Sequence, residues 1–146
     1  MPLPSFNQNG DLPPGLHHAS LDEVRERFGA TAGPRLICTQ HLLHIHHLAE
    51  RTGCVARFII FGSYVTSKPE PNDLDIILVM QDNFQLENCP PESRSLFEHA
   101  TAQARLGASI FWIRPGLLIG ETVEEFLKHW QIKRDGTRRG IMEVIK

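Results

Sequence analysis

The sequence predicts one mixed α/β domain, a small sheet flanked by helices, and three features carry that expectation. Apolar runs at 55–61 and 74–80 have the length and β-branched content of strands. Segments at 20–29 and 34–51 show helical spacing and helix-end residues instead. With 146 residues and 41% hydrophobic content, the chain has material for one compact core and too little for two ordinary domains.

Residues 1–19 (MPLPSFNQNGDLPPGLHHA) are rich in Pro, Asn and Gly. Pro2, Pro4, Pro13 and Pro14 exclude a helix, so an extended, non-regular arm is expected, with the domain proper over 20–146. Phe6, Leu12 and Leu16 give the arm apolar side chains with which to pack on that domain.

Ser20 and Glu23 match a capping box, so a helix starts there and stops at Gly29. A second begins near Pro34, whose fixed φ suits a first turn, and runs to about Arg51 with Gly53 beyond its end. Its apolar residues Leu36, Ile37, Leu42, Leu43, Ile45 and Leu48 recur at a helical period. The first strand follows at 55–61. Pro69 and Pro71 confine any helix after Ser63 to one or two turns, and 74–80 is the second strand. Pro90-Pro91 marks a loop, after which a helix is expected over 92–106, ending at Gly107. A third strand covers 108–113 (ASIFWI), broken by Pro115-Gly116. A helix over about 121–131, an Asp135-Gly136 turn and a short terminal strand over 139–145 complete the chain.

The formal net charge of −2 gives no global pull toward nucleic acid or an anionic membrane, and eight His add positive charge below about pH 6.5. Cys38, Cys54 and Cys89 are odd in number and widely spaced, so reduced thiols are expected rather than a zinc site or disulfide framework. The N-terminus lacks a basic and an apolar leader region, and no stretch approaches 18 uncharged apolar residues. A cytoplasmic protein without a membrane partner is the expectation.

Residues 58–79, FIIFGSYVTSKPEPNDLDIILV, concentrate the chemistry. Asp73 and Asp75 stand two apart, so in a strand their carboxylates share a face, about 6–7 Å apart. Two carboxylates at the mouth of a sheet suit Mg²⁺, which prefers carboxylates and substrate phosphates. A Gly62-Ser63 turn that opens a helix presents free N–H groups to an anion. Gly62 lets backbone approach phosphate closely, Ser63 adds a hydroxyl donor, and Lys68 and Thr66 lie in the same loop. Carboxylates plus an anion cradle point to a nucleoside triphosphate. The alternative is a Rossmann-like strand–turn–helix whose acids cap a loop.

Gly-Ser, a spacer and Asp-x-Asp between apolar strands resemble the nucleotidyltransferase superfamily, the fold of DNA polymerase beta and of minimal antitoxin-type nucleotidyltransferases. Phe6-Asn7, the Gly10 to Gly15 segment, Arg134-Asp135-Gly136 and Gly140-Ile141 extend the likeness, to an uncharacterised bacterial branch. The resemblance implies Asp73 and Asp75 as catalytic residues and Mg²⁺ ligands, and Gly62, Ser63 and Lys68 as nucleotide-binding residues. It implies transfer of a nucleoside monophosphate to a hydroxyl of a protein, RNA or small molecule. Active relatives place a third carboxylate on the following strand, but 108–113 holds no Asp or Glu, and neither Glu98 nor Glu121 is an obvious substitute. An inactive copy acting as a regulatory or antitoxin partner is the alternative.

Two other signals compete. His41, His44, His46 and His47 lie on one helix at spacings that could serve Zn²⁺, although no acid or Cys joins them and an exposed polar face accounts for them equally. Lys133, Arg134, Arg138 and Arg139 could steer RNA or nucleotide, with a solvated turn as the plainer reading. Phe111 and Trp112 read as core residues, either of which could line a base pocket.

Overall fold

The structure, a computed structural model, describes residues 3–145; Met1, Pro2 and Lys146, the outermost residues of the expected arm and domain, lie outside it. The elements run β1 (Leu16–Ser20), α1 (Leu21–Phe28), α2 (Gly33–Glu50), β2 (Val55–Phe61), β3 (Leu74–Met80), α3 (His99–Thr101), β4 (Ala108–Ile113), α4 (Val123–His129) and β5 (Ile141–Ile145). One mixed sheet forms in the order β1-β5-β2-β3-β4. β2 runs antiparallel to β3 and β5, whereas β1 pairs parallel with β5 and β4 parallel with β3.

Helix ends follow the sequence. The Ser20–Glu23 capping box is made in both directions, and Thr122 with Glu125 makes a second at α4. Pro34 occupies the first turn of α2. The helix expected at 121–131 is thereby shortened to Val123–His129.

Two expectations need correction. The segment up to residue 19 is not irregular throughout, because Leu16–Ser20 pairs with β5 from Leu16↔Ile141 to Ser20↔Ile145. Prolines 13 and 14 hold the chain extended, and the free edge of β5 converts extension into a strand. The helix expected at 92–106 is also not regular. It divides into a 3₁₀ stretch Pro91–Phe97, the single turn α3, and a π-helical Ala102–Leu106 that stops at Gly107. Ser93 and Leu96 are both fully buried, and the Ser93 hydroxyl donates to the carbonyl of Leu48 at 2.7 Å. A three-residue turn aligns those two positions on one line, which explains the 3₁₀ winding.

The sheet is covered on both faces. Leu12, Phe28, Leu42, Ile45, Phe58, Ile60, Ile76 and Met142 belong to the core under α1 and α2. Ile59, Ile77, Val79, Ile141 and Leu127 form a smaller core under α4. This two-sided burial explains why β3 is apolar at nearly every position. No helix among the described residues is long and apolar enough to cross a membrane.

Candidate functional site

Strand register gathers four residues at one rim of the sheet. Phe61 pairs with Asp75, Asp75 pairs with Ser109 on β4, and Ile60 pairs with Met142. The C-terminal end of β2 therefore meets the N-terminal ends of β3, β4 and β5, and brings Gly62, Asp75, Ser109 and Arg139 to the same edge. Alternation puts Asp75 on the face of Ile77 and Val79, which is the α4 face, while Leu74 points into the opposite core.

Asp75 lies against the Gly62-Ser63 turn. A Cβ added to Gly62 would sit 2.1 Å from Asp75 Oδ2, and Gly62 has φ 79° and ψ −163°, a region open essentially to glycine alone. Ser63 then opens one 3₁₀ turn, Ser63–Val65, within the one or two turns that the prolines allow. Asp73 is exposed just before β3. Burial pushes the Asp75 carboxyl up to about 6, the Asp73 charge adds to the rise, and Arg139 opposes it. Asp75 alone lies against the turn, and the Asp73 charge acts on it from the residue just before β3. Among the described residues no group of three or more His, Cys, Asp or Glu is placed to hold a metal. A hard cation such as Mg²⁺ at Asp75 and Asp73 would need further oxygen ligands from outside the chain.

The loop after the turn is tied down from α2. Arg35 donates from Nε and Nη2 to the carbonyl of Lys68 at 3.0 and 2.6 Å, and from Nη1 to Phe28 at 3.0 Å and Tyr64 at 2.9 Å, with Nη2 also reaching Thr66. Thr66 Oγ1 donates to the Ser63 carbonyl at 2.6 Å and accepts from the Lys68 N–H at 3.1 Å. Thr66 is thus occupied within the loop, and Lys68 is exposed with its main chain fixed.

A cavity of about 520 Å³ opens beside Asp75, with Phe61, Phe111 and Trp130 as apolar wall and Lys133, Arg134 and Arg139 as cations. Trp130 stands 4.8 Å from Phe61 and 4.9 Å from Phe111 between ring centroids. Of the two aromatic residues expected in the core, Phe111 is the one that lines the cavity. Trp112 packs on Phe84 and Phe97 instead.

The cations belong to a hairpin closed by the Ile132↔Arg138 bridge, with Asp135 accepting from the Thr137 N–H and hydroxyl in its turn. Asp11 of the arm is buried, with Lys133 Nζ at 3.0 Å and Arg139 at 3.9 Å. The Gly140 N–H donates to the Leu12 carbonyl at 2.8 Å, and the Gly15 N–H to Gln131 Oε1 at 2.7 Å. A Cβ on Gly140 would lie 2.3 Å from the Pro13 carbonyl oxygen, so the Gly10–Gly15 and Gly140-Ile141 segments need each other's contours. The tail is consequently a wall of the cavity and not merely a solvated turn. Asp11, Arg35 and Ser109 escape sequence reasoning because their partners are far along the chain; only the placement of Asp11 within the Gly10–Gly15 segment marks it.

Ser109 stands in register beside Asp75 on the strand that follows β3 in sequence, and its hydroxyl accepts from Gln103 at 3.1 Å. Glu98 accepts from Thr101 at 3.1 Å and Glu121 faces His129 at 3.4 Å. On α2, the His41 ring lies against Gly107, His46 packs on Phe58 and nears Glu50 at 3.9 Å, and His44 and His47 are exposed. These His do not converge on a metal site.

Fold and rim together define a mixed α/β domain with an acid pair and a cationic, aromatic cavity at one end of its sheet. The chain belongs to a family of unknown function (DUF6932), whose profile matches residues 4–145. No curated protein and no solved structure matches it.

Proposed function

We propose that this protein is a nucleotidyltransferase-like domain that binds a Mg²⁺-bound nucleoside triphosphate at its sheet rim. The observation that carries the reading is the Asp75 carboxylate set against Gly62 at the mouth of a cavity lined by Lys133, Arg134 and Arg139. Asp73 and Asp75 would hold Mg²⁺, whose chemistry there is neutralisation of phosphate charge. The chain's own residues do the rest. Gly62 and Ser63 receive phosphate closely, with Lys68 at the end of the same loop, and Lys133, Arg134 and Arg139 supply positive charge. Phe111 and Trp130 offer flat apolar surface to a base. Free Cys38, Cys54 and Cys89 accord with a cytoplasmic setting, where triphosphates also reside.

Transfer of a nucleoside monophosphate to a protein, RNA or small-molecule hydroxyl is the activity such a site would support. Ser109 at the third-acid position favours a second reading, an inactive copy that works by binding, as an antitoxin-type regulator would. Calorimetric titration with each Mg·NTP, followed by incubation with α-phosphate-labelled nucleotide, separates the two. Binding that Asp75→Asn abolishes supports the site, and failure to bind any nucleotide overturns it.

A further inference from the structure

A second cavity adjoins the first. It measures about 490 Å³, shares His129 and Ile132 with its neighbour, and adds Lys128, Arg138 and Glu125. The charge balance of the joined trough is lopsided. Lys128, Lys133, Arg134, Arg138 and Arg139 face two acids, Asp75 and Glu125. Glu125 is already engaged in the α4 capping box, where its Oε1 accepts from the Thr122 N–H and hydroxyl at 3.2 Å. Lys133 and Arg139 share the buried Asp11 carboxylate, whereas Lys128, Arg134 and Arg138 are exposed and make no ion pair with any described residue. A chain of net charge −2 thus concentrates unpaired cations around one trough. Ile132 is 53% exposed between the two cavities, an apolar platform amid the charges.

We propose that the second cavity and its rim bind a single-stranded nucleic acid, whose phosphodiester chain follows Lys128 and Arg138 and whose end nucleotide faces the triphosphate site. This assignment rests on the nucleotide reading for the role of the end nucleotide, and on the trough alone for the binding. Three features select this partner. Unpaired, spaced cations suit a chain with one charge per residue. A concave cavity of about 490 Å³ matches an unpaired nucleotide better than the convex outside of a duplex. The apolar floor at Ile132, with the His129 ring beside it, gives an unstacked base a surface, which an acidic peptide would not use. The acceptor hydroxyl implied by such an arrangement is that of a nucleotide chain.

The test is fluorescence anisotropy with a labelled oligouridylate of about 12 nucleotides, the deoxy equivalent and a duplex of the same length, in about 50 mM salt without nucleotide. The proposal expects the single strands to bind in preference to the duplex, and the two single strands show whether a 2′-hydroxyl contributes. The K128E/R138E variant should bind at least tenfold more weakly. Its dependence of log affinity on log salt should flatten by about 1.4, two phosphate contacts at about 0.7 each. Mg·ATP affinity should stay at the parent value in that variant, since neither residue lines the first cavity. Conversely, Asp75→Asn should lose Mg·ATP and keep the oligonucleotide. Oligonucleotide binding with no Mg·ATP binding in the parent would remove the nucleotide reading and leave the trough assignment standing. Absence of binding by the parent, unchanged binding by K128E/R138E, or displacement by polyglutamate as effective as by oligouridylate would each overturn it.

Discussion

Arg35 on α2 and Lys68 at the end of the turn loop are joined twice, with Nε and Nη2 both donating to one carbonyl oxygen. All four oxygens that Arg35 reaches are main-chain carbonyls, so the residue works as a staple for backbone and not as half of an ion pair. Lys has one ammonium where Arg has a planar fork, and cannot span the carbonyls of Phe28, Tyr64, Thr66 and Lys68 together. Arg35→Lys should therefore lower unfolding free energy by about 3 kcal/mol, two charge-assisted hydrogen bonds at the lower end of their range. Urea denaturation measures it, and an unchanged midpoint would show that the staple is idle.

Gly62 is constrained twice, by its positive φ and by the carboxylate that its missing Cβ makes room for. Gly62→Ala should cost about 3 kcal/mol, combining the backbone strain with the displaced Asp75. Only the second part depends on Asp75. The G62A/D75A pair should therefore be more stable than the sum of the single changes allows, by about 1 kcal/mol or more. Strict additivity in the double-mutant cycle would place Asp75 away from the turn.

Asp75 also gives the protein a pH dependence. Its carboxyl is raised from 3.8 to about 6, so the folded state holds that proton more tightly than the unfolded chain does. The stability this confers is complete below about pH 3.8 and is lost as pH rises through about 6. At pH 7.5 the ionised group is a burden. About 1.4 kcal/mol per pH unit would make it about 3 kcal/mol, and partial exposure reduces that to about 1–2 kcal/mol. In chelator-containing buffer, Asp75→Asn should raise stability by that amount at pH 7.5 and leave it unchanged at pH 4. A loss at pH 7.5 would mean that the ionised form is held by favourable contacts.

Asp11 ties the arm to the cavity wall. Replacing it with Asn removes the only carboxylate that Lys133 pairs with among the described residues and leaves that ammonium three-quarters buried. Breaking a buried pair on one side costs about 3–5 kcal/mol, and the exposed part of Lys133 lowers the expectation to about 2 kcal/mol. Thermal or urea unfolding reads the change. A neutral substitution would show that Leu12, the main-chain hydrogen bonds of the arm and the β1–β5 pairing hold it without the ion pair.

Local signals in the sequence explain what was legible. Capping boxes, Pro34, the Gly62-Ser63 turn and the apolar runs of β2, β3 and β4 act within a few residues, and each element formed where those signals lie. β1 was hidden because its partner is β5, some 125 residues away. The regular helix expected over 92–106 does not form because burial of Ser93 and Leu96 together overrides helical propensity. At the site, Asp75 of the Asp-x-Asp pair lies on the rim, but the aromatic and cationic wall is assembled by β4, α4 and the 131–139 hairpin. Periodicity cannot report which of Phe111 and Trp112 faces the cavity, because strand alternation fixes only that they differ.

Transfer chemistry at this rim turns on Ser109. Parallel pairing sets this residue beside Asp75, where a carboxylate would add a ligand or a base, and the hydroxyl present does neither at neutral pH. Stabilisation of charge that develops at phosphorus depends on such preorganised groups, and one of them is worth about 3–4 kcal/mol. The protein should therefore bind Mg·NTP yet transfer label to generic acceptors at rates several hundredfold below those of a complete site, at or beneath detection. Ser109→Asp should strengthen the Mg²⁺ dependence of nucleotide binding, because a third carboxylate joins two that already repel in the metal-free state. It should also destabilise the metal-free protein above pH 6, by the same repulsion that raises Asp75. If the parent transfers label robustly, two carboxylates suffice and the argument from Ser109 fails. If Ser109→Asp leaves Mg²⁺ dependence untouched, the β4 position does not reach the acid pair, and the inactive reading loses its structural basis.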